Sequence, residues 1–417
     1  MQALVADTAT PRALFTLAAG RVRHDAAWGT RAGILNMRDI PVPSLPGPGW
    51  ALIRPTLSGI CGSDLKLLHV TGFSPVLTAY NPNTRAVPGH EVVGTVVRTM
   101  GTSRVREGDR VLVEPILRCA HKGLQDCARC RAGEYHLCEN LAAEGSLHCG
   151  GQGIGFGERV GGGWSEGFVA HEDMLFDAGG ISDSRAVVAE PAAVALHAAL
   201  RWERNGGTAV VIGPGTLGLL VMMALHRLHP DLDITAVGPP SASPSGAPPF
   251  GSEQSASAGA RRMWVGPPAT VLDQAAQLTG AHLLRPRLGR LPVLDGGVDV
   301  VFDCVGTAQT LDLAMRLLRA RGTLVMLGTA GRQKVDWSLV WWRELTVLGT
   351  VVYSREKDGR RTFEIVREWL SDQSYPADMI LTHRFPLERY AEALETASAG
   401  PRARAIRVAL EIPPASA

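Results

Sequence analysis

The sequence lacks the features of several specialised classes of protein. Its 42 basic and 40 acidic side chains give a net charge of +2, and no long run carries charge of one sign. We therefore expect neither nucleic acid nor an anionic membrane as the main partner. The N-terminal segment MQALVADTATPRALF lacks the basic segment and the apolar run of a secretory signal, and a cytoplasmic location is expected. No internal repeat is evident.

Long apolar runs are also missing, with one near exception. Residues 209–225 form an uncharged stretch, but its middle reads GPGTLG, which breaks a spanning helix. No membrane span is therefore expected. At 417 residues, 45% hydrophobic and 20% charged, the chain has the composition of an ordinary globular protein and room for two or three domains.

The composition and the pattern of apolar residues change near residue 188. Residues 1–187 are rich in glycine, proline and short β-type runs such as EVVGTVVRT, which indicates an irregular, mostly antiparallel β domain. From residue 188 to residue 352, buried β-type runs alternate with helical segments, and this predicts βαβ units around a parallel sheet. Residues 353–417 are mixed, and we expect them to return to the first domain.

One segment does not fit a compact fold. Residues 239–260 consist almost entirely of proline, serine, glycine and alanine. Such a composition predicts a flexible insertion with little order.

The motif GPGTLG has the spacing of a dinucleotide-binding turn. It places Gly213, Gly215 and Gly218 in a GxGxxG pattern between a buried strand and an apolar helix that starts near Thr216. Small residues let the backbone approach a pyrophosphate, whose charge is met by the N–H groups of the helix terminus. A tight strand-to-helix turn with no ligand is the alternative.

A second constellation joins CGSDLK, which begins at Cys61, to PGHEVVG, which contains His90 and Glu91. A thiolate, an imidazole and a carboxylate are ligand types that a catalytic zinc site accepts. Taken singly, the cysteine would more often be a buried small residue and the histidine a satisfied loop residue. Glu190 precedes a proline at a helix start, where an acidic residue more often complements the helix dipole.

Four of the seven cysteines crowd into one short segment, which we call the cysteine lobe (119–138). The spacings are seven, two and seven residues between Cys119, Cys127, Cys130 and Cys138. Two residues between thiolates let one turn present both sulfurs to a tetrahedral ion, so a structural metal site is favoured over free cysteines in a surface loop.

In the order GICGSD, GHEVVG, cysteine lobe, AEPAAVALHA and VVIGPGTLG, the sequence resembles the medium-chain zinc-dependent alcohol dehydrogenase superfamily, nearest its sorbitol and threonine dehydrogenase branch. The resemblance covers the whole chain. It implies an α/β protein with a GroES-like β-rich catalytic domain (1–187, with 353–417 returning to it). It also implies a Rossmann domain with a doubly wound parallel sheet (188–352), and a homodimer or homotetramer.

The resemblance also implies roles for individual residues. Cys61, His90 and Glu91 match catalytic zinc ligands, Glu190 matches the acidic residue that binds the metal or its water, and Ser63 matches the hydroxyl that relays the alcohol proton. The four lobe cysteines match a structural zinc site. The cofactor, NAD or NADP, would be lined by the glycine motif and by strand ends, namely Gly213, Gly215, Thr216, Leu217, Gly218, Gly238, Cys304, Val305, Gly306, Leu327 and Gly328.

Three departures from the family pattern stand out. Lys66 stands where many relatives have histidine, and the first step of the cysteine lobe is longer by five residues. We expect these residues, AHKGL or a stretch nearby, to loop out and Cys119 to complete the metal site, with His121 as a poorer candidate. Gly238 stands where NAD enzymes place an acidic residue, so we expect a relaxed cofactor preference. Arg261 and Arg262 have the side chains of a phosphate clamp, but the interpretation as a solvated helix face is favoured.

The sequence therefore predicts an oxidoreductase that transfers hydride between NAD(P) and a secondary alcohol, polyol or sugar-like substrate, with one catalytic and one structural zinc. A non-catalytic dinucleotide-binding or zinc-scaffold protein of the same fold is the main alternative. A metal-free reductase of this fold is disfavoured because its relatives lack the cysteine and histidine pair. A zinc deaminase is disfavoured because no HxE motif precedes CARC in a suitable context.

Overall fold

The structure is a computed structural model that describes residues 1–69, 85–149, 151–157, 159–204, 206–239, 248–288 and 291–413. It divides into two compact units. The first unit comprises Met1–Glu190, Tyr353–Gln373 and Ile380–Ala417, and the second comprises Pro191–Val352 and Ser374–Met379. After the domains that the sequence predicts, they are called the catalytic unit and the nucleotide-binding unit.

Residues 1–199 are mostly strands joined by short helices. The strands are β1 (Gln2–Asp7), β2 (Leu35–Asp39), β3 (Trp50–Gly59), β4 (Arg85–Ala86), β5 (Val92–Met100), β6 (Arg110–Val113), β7 (Phe168–His171) and β8 (Leu175–Asp177). The helices are α1 (Thr10–Ala19), α2 (Gly62–Leu68), α3 (Ala128–Arg131), α4 (Asp183–Ala186) and α5 (Ala189–Ala199).

Residues 208–349 alternate between strands and helices. The strands are β9 (Thr208–Ile212), β10 (Asp233–Gly238), β11 (Arg262–Val265), β12 (His282–Leu284), β13 (Val293–Asp295), β14 (Val298–Asp303), β15 (Leu318–Met326) and β16 (Thr346–Gly349). The helices are α6 (Thr216–Leu228), α7 (Ser252–Ser257), α8 (Pro268–Thr279), α9 (Ala308–Leu317) and α10 (Ser338–Trp342).

The last segment supplies two helices and two strands. They are α11 (Thr362–Ser371), β17 (Leu381–Pro386), α12 (Tyr390–Ala399) and β18 (Arg407–Glu411). In the catalytic unit the main sheet runs β17-β18-β3-β5-β6-β8, with β7 also pairing β3. The C-terminal strand β18 pairs antiparallel with β3, so the end of the chain completes the sheet begun by residues 50–59.

The nucleotide-binding unit is built on a parallel six-stranded sheet in the order β11-β10-β9-β14-β15-β16. Counted from β9, this is the order 3-2-1-4-5-6 of a doubly wound dinucleotide-binding sheet. Its strands are apolar on both faces, since β9 and β14 are buried over nearly their whole length. The order reverses between β9 and β14, which marks the position where such sheets bind ligands.

The predicted insertion at 239–260 is not without regular structure. Residues 240–247 lie outside the described residues, but Ser252–Ser257 form α7, in which Ser255 is buried. Small residues suit this short helix because α7 packs against α6 and β11. The expectation of an unstructured segment is therefore wrong for residues 252–257.

Arg261 and Arg262 do not lie on a helix. Arg262 begins β11 and forms an ion pair with Asp233 of β10 at 2.7 Å. The interpretation of these arginines as a solvated helix face is therefore wrong. Among the described residues, no helix has both the length and the apolar character needed to cross a bilayer.

Candidate active site and metal centres

The structure brings Cys61, His90 and Glu91 together. Cys61 follows β3, the other two residues precede β5, and β3 and β5 pair antiparallel with Ser58 opposite Val92. The backbone N–H of Gly59 donates to the carbonyl of Glu91 at 2.8 Å and fixes this register. One ligand atom from each of the three side chains lies within 4.8 Å of the others.

Electrostatics at this site favour the thiolate. Burial by itself raises the pKa of the Cys61 thiol, but the hydrogen bond and charge of His90 outweigh it and lower that pKa to about 7. A thiolate is the form of cysteine that binds a metal.

Asp64 supports the site although the sequence interpretation did not select it. Its carboxylate accepts the backbone N–H of Cys61 at 2.9 Å, which closes a capping box at the start of α2. The other oxygen lies 3.5 Å from Nδ1 of His90, and Asp64 is buried. A carboxylate behind a metal-binding histidine fixes the ring and raises its basicity. The available signal was the acidic residue three positions after Cys61.

Glu91 has a second partner that the sequence did not reveal. Its carboxylate forms an ion pair with the guanidinium of Arg407, which lies on β18, and both side chains are buried. Gly59 leaves the space for this pair, because a Cβ there would lie 2.1 Å from the Glu91 carboxylate. Arg407 is far from Glu91 in the sequence, and only the pairing of β18 with β3 brings it here.

Glu190 lies in the first turn of α5 and is buried. Burial, the largest effect, raises the pKa of its carboxyl to about 8. His90 and Tyr353 act in the opposite direction, while Cys61 and Asp64 act in the same direction as burial. Glu190 is thus electrostatically part of this site, although it lies outside the close group formed by Cys61, His90 and Glu91.

Helix α2 carries two further residues of interest. Ser63 lies in its first turn, where its backbone N–H donates to the sulfur of Cys61 at 3.5 Å. Lys66 lies in the last turn and is half-buried. Burial lowers the pKa of the Lys66 ammonium, while the charge of Cys61 raises it.

The four lobe cysteines also form a close group. One sulfur from each lies within 4.8 Å of the others, and Cys119 and Cys138 are 3.5 Å apart. N–H groups point at the sulfurs: the backbone of Cys130 and of Glu139 donates to Cys127 at 3.5 and 3.4 Å. Four sulfurs around one point, with N–H donors behind them, match the donor set of a closed tetrahedral zinc site.

The lengthened first step of the lobe does not loop out, so that expectation is wrong. Cys119–Lys122 form a 3-10 turn in which His121 and Lys122 are buried. The ammonium of Lys122 donates to the carbonyls of Asn140 and Leu141 at 2.7 Å each. This buried cation lies near the lobe thiols, whose charge it offsets.

His121, His171 and Asp173 form a further group with close ligand atoms. Nδ1 of His121 accepts the backbone N–H of Arg118 at 3.3 Å, so Nε2 carries the ring hydrogen and donates to Asp173 at 2.6 Å. A nitrogen that carries hydrogen cannot bind a metal. We therefore interpret this group as a hydrogen-bonded clamp between the lobe and the segment after β7.

The glycine motif lies between β9 and α6 in the nucleotide-binding unit. Gly213 has a φ of +95°, which favours glycine, and a Cβ on Gly218 would lie 2.0 Å from the carbonyl oxygen of Gly213. Gly215 precedes Thr216 and Leu217 at the helix start, and a Cβ on it would meet no described atom within 4 Å. The backbone at Gly215 therefore has open space beside the helix N-terminus, as approach to a pyrophosphate requires.

A buried carboxylate organises the loops after β14 and β15. Asp303 accepts the backbone N–H groups of Val305 and Gly306 at 3.0 and 3.1 Å. Its carbonyl oxygen accepts those of Leu327 and Gly328 at 3.0 and 2.9 Å. The two predicted cofactor segments, which include Cys304, are thus held beside each other at the carboxyl ends of neighbouring parallel strands. Gly238 lies at the end of β10, at the same edge of the sheet, with β9 between β10 and β14.

Comparison with known proteins defines the class. The model of the alcohol dehydrogenase GroES-like domain matches residues 47–179, and that of zinc-binding dehydrogenase matches residues 266–372. The chain belongs to the medium-chain zinc-dependent alcohol dehydrogenase superfamily, and the predicted fold class is confirmed.

Individual relatives indicate the branch. The chain is 29% identical to L-threonine 3-dehydrogenase of Saccharopolyspora erythraea over 88% of its length and 93% of the relative. It is 27% identical to erythritol/L-threitol dehydrogenase of Mycolicibacterium smegmatis over 87% and 91%. Among solved structures, 2R,3R-butanediol dehydrogenase from Bacillus subtilis matches with a TM-score of 0.67 and 25% identity, over 90% of this chain and 96% of that one. The chain therefore lies in the branch of polyol and threonine dehydrogenases.

Proposed function

We propose that this protein is a zinc-dependent dehydrogenase that transfers hydride between NAD(P) and a CH–OH group of a secondary alcohol, polyol or sugar-like substrate. The observation that carries the proposal is the close group of Cys61, His90 and Glu91, whose ligand atoms lie within 4.8 Å of one another. The alternative of a non-catalytic scaffold is disfavoured because the structure holds this group intact, with Asp64 behind His90.

The donor set fits a catalytic zinc. Two of the proposed ligands are Cys61, whose thiol has a lowered pKa, and His90, whose ring lies beside the carboxylate of Asp64. Glu91 is held by Arg407, so Glu190 is the acidic residue available to complete the set or to hold a water. Zinc bound there would act as a Lewis acid on the substrate oxygen and lower the pKa of its hydroxyl.

The protein's own residues supply the remaining functions. The hydroxyl of Ser63, two residues after Cys61, is proposed to accept the alcohol proton and pass it on. Lys66, in the last turn of the same helix, takes the place of the histidine that many relatives have there, so their exit route for this proton is not carried over to this chain. In the nucleotide-binding unit, the loop that begins at Gly213 would hold the pyrophosphate.

The cysteine lobe is proposed to hold a structural zinc through Cys119, Cys127, Cys130 and Cys138. With four thiolates and no open position, such a site contributes to folding and not to catalysis. None of the seven cysteines, all of which the structure describes, is in a disulfide, which fits a reducing compartment, and the cytoplasm is the proposed location.

A homodimer is proposed as the assembly, with a homotetramer of two such dimers as the alternative. Within the described residues, β16 is an edge strand of the six-stranded sheet, and beside it Trp341 and Trp342 are each 71% exposed. Two copies that pair their β16 strands about a twofold axis would bury this edge of the sheet and both tryptophans. Light scattering should give twice the chain mass, and Trp341→Ser with Trp342→Ser should lower it. A monomer in the unmodified protein would contradict this assembly.

A substrate screen tests the proposed function. Protein of measured zinc content is assayed with NAD and with NADP against L-threonine, erythritol, L-threitol, 2,3-butanediol and 2-butanol. Oxidation of at least one of these, lost in Cys61→Ser, is expected. Binding of NADH or NADPH without turnover on any of them would favour the scaffold alternative.

A further inference from the structure

We propose that helix α1 is a docking surface through which the protein binds reversibly to an anionic lipid bilayer. The helix lies between β1 and β2 in the catalytic unit. None of its residues belongs to the proposed active site, so the inference goes beyond the proposed function and does not depend on it.

The first observation is the orientation of α1, which turns apolar side chains towards solvent. Leu14, Phe15 and Val22 are 60%, 38% and 89% exposed. Val22 lies just past the helix, where two further backbone N–H groups still donate to the carbonyl of Ala19, at 3.0 and 2.8 Å. At helical spacing these three side chains and the exposed Ala18 lie on one side, which we call the apolar side of α1.

The side of α1 that faces the protein is held by polar residues. Thr16 is buried there, and the guanidinium of Arg12 donates to the carbonyls of Arg31 and Gly33 at 2.8 and 2.7 Å. A helix on the surface of a globular protein normally buries its large apolar side chains. In α1 two of the three, Leu14 and Phe15, are exposed instead. We therefore infer that a further surface covers the apolar side of α1.

The segment after α1 anchors the helix in this orientation. Ala27 and Trp28 are buried in a hydrophobic cluster that also contains Leu4 and Leu68. The indole ring of Trp28 meets the ring of His69 edge-on, with 5.4 Å between the ring centroids. The apolar side of α1 is thus presented by packed structure and is not a frayed chain end.

The charges around α1 indicate what covers its apolar side. Residues 8–24 contain three arginines, one histidine and no acidic residue. Arg21 follows Leu14 by about two helical turns and is exposed, without an ion pair among the residues that the structure describes. Arg23 is also exposed, although Asp25 pairs with it at 2.6 Å. Apolar side chains flanked by arginines are typical of a helix that lies in the interface of an anionic bilayer.

A second copy of the chain fits the apolar side of α1 less well. The 10 residues of the helix span about 15 Å, and so short a strip is far smaller than the roughly 800 Å² per partner of a stable protein interface. Two such strips would also face each other without an acidic side chain to pair with the arginines. A bilayer requires no matched area, and its headgroups supply the negative charge. The net charge of +2 belongs to the whole chain and does not describe this local surface.

Vesicle binding tests the inference. The full-length protein is sedimented with vesicles of phosphatidylcholine alone and with vesicles of an equimolar mixture of phosphatidylcholine and phosphatidylglycerol. The variants are Leu14→Ser/Phe15→Ser and Arg21→Gln. Leu288→Ser is the matched control, because it removes an apolar side chain that is 96% exposed on the nucleotide-binding unit. The thermal midpoint and the mass by light scattering are measured for every variant.

We expect the unmodified protein to bind the mixed vesicles at least tenfold more tightly than phosphatidylcholine alone. Leu14→Ser/Phe15→Ser should weaken this binding at least tenfold, because two apolar side chains no longer leave water. Arg21→Gln should weaken it about fivefold, the loss of one cation at an anionic surface. Salt at about 1 M, where the Debye length is about 3 Å, should also release the protein. Leu288→Ser should bind like the unmodified protein, and the thermal midpoint should stay the same in all variants.

Three results would overturn the inference. One is an unmodified protein that stays in solution in the presence of the mixed vesicles. Another is equal vesicle binding by the unmodified protein and by Leu14→Ser/Phe15→Ser. The third is a lower mass by light scattering in this double variant, which would show that α1 contacts a second copy. None of these results concerns alcohol oxidation, and a protein that oxidises no alcohol could still bind vesicles, so the failure of this inference and that of the proposed function are distinguishable.

Discussion

The carboxylate of Glu91 is paired with the guanidinium of Arg407, and both side chains are buried at the candidate catalytic centre. The glutamate comes from the segment before β5, and the arginine comes from the last strand of the chain. This pair ties the C-terminal return to the residues that would bind the metal. With Glu91 held in this way, Glu190 is the carboxylate that remains available to the metal.

Removing the arginine should therefore destabilise the protein strongly. Arg407→Met leaves the Glu91 carboxylate buried without its cation, which costs about 3–5 kcal/mol of the free energy of unfolding. Arg384→Met is the matched control, because Arg384 on the neighbouring strand pairs with Glu411 at 3.5 Å in an exposed position. Arg384→Met should lower the free energy of unfolding by less than about 1 kcal/mol. Urea unfolding measures both, and equal values for the two variants would contradict the importance assigned to the buried pair.

Asp64 is predicted to control metal affinity through His90. Asp64→Asn keeps the size of the side chain and its capping bond to Cys61, but removes the charge behind the imidazole. Zinc at the catalytic site should then bind roughly 10–100-fold more weakly, as is typical when an outer partner of a ligand is lost. Competition with a chelator measures this affinity. Asp312→Asn, which alters only an ion pair with Arg316, should leave it unchanged.

The two metal sites differ in how far the sequence predicted them. The spacing of Cys127, Cys130 and Cys138 indicated a shared ion because local turns determine their geometry. The conformation of the lengthened segment after Cys119 was not predictable, since it depends on contacts with residues far away in the sequence. His121 bonds to Asp173, and Lys122 bonds to carbonyls at the far side of the lobe.

A similar limit applies at the catalytic centre. Short motifs located Cys61, His90 and Glu91, because two hydrogen-bonded strands bring those motifs together. Arg407 carries no local signal, since its role depends on which strand packs against the site. The parallel sheet of the nucleotide-binding unit was predictable from its apolar strands. Helix α7 was not, because the prolines and serines around it indicated disorder, whereas its packing against α6 and β11 is a tertiary contact.

Cys119 is predicted to complete the structural zinc site. In Cys119→Ser the zinc content should fall from about two to about one per chain, and the thermal midpoint should drop, because a closed thiolate site contributes to folding. Cys149→Ser is the control, since Cys149 is also buried but lies outside the four-cysteine group. Its zinc content should stay at about two. A Cys119→Ser protein that keeps both ions would show that another residue is the fourth ligand.

Gly238 is predicted to determine the relaxed cofactor preference, with NADP only slightly favoured over NAD. Gly238→Asp would place a carboxylate at the end of β10, where it repels a 2′-phosphate. The added Cβ would lie 2.2 Å from the terminal methyl of Met263, a flexible group that can move. The ratio of specificity constants for NAD over NADP should rise at least tenfold, about 1.4 kcal/mol, whereas Gly238→Ala should leave it unchanged. A ratio above about a hundredfold in the unmodified protein would contradict this role of Gly238.

The most direct test of the whole account is anomalous diffraction at the zinc absorption edge from crystals of the unmodified protein. We predict one peak at about 2.3 Å from the sulfur of Cys61 and about 2.0–2.1 Å from a ring nitrogen of His90, and a second peak within about 2.3 Å of all four lobe sulfurs. Zinc in the lobe without a peak between Cys61 and His90, in protein that still oxidises an alcohol, would contradict the proposed catalytic centre.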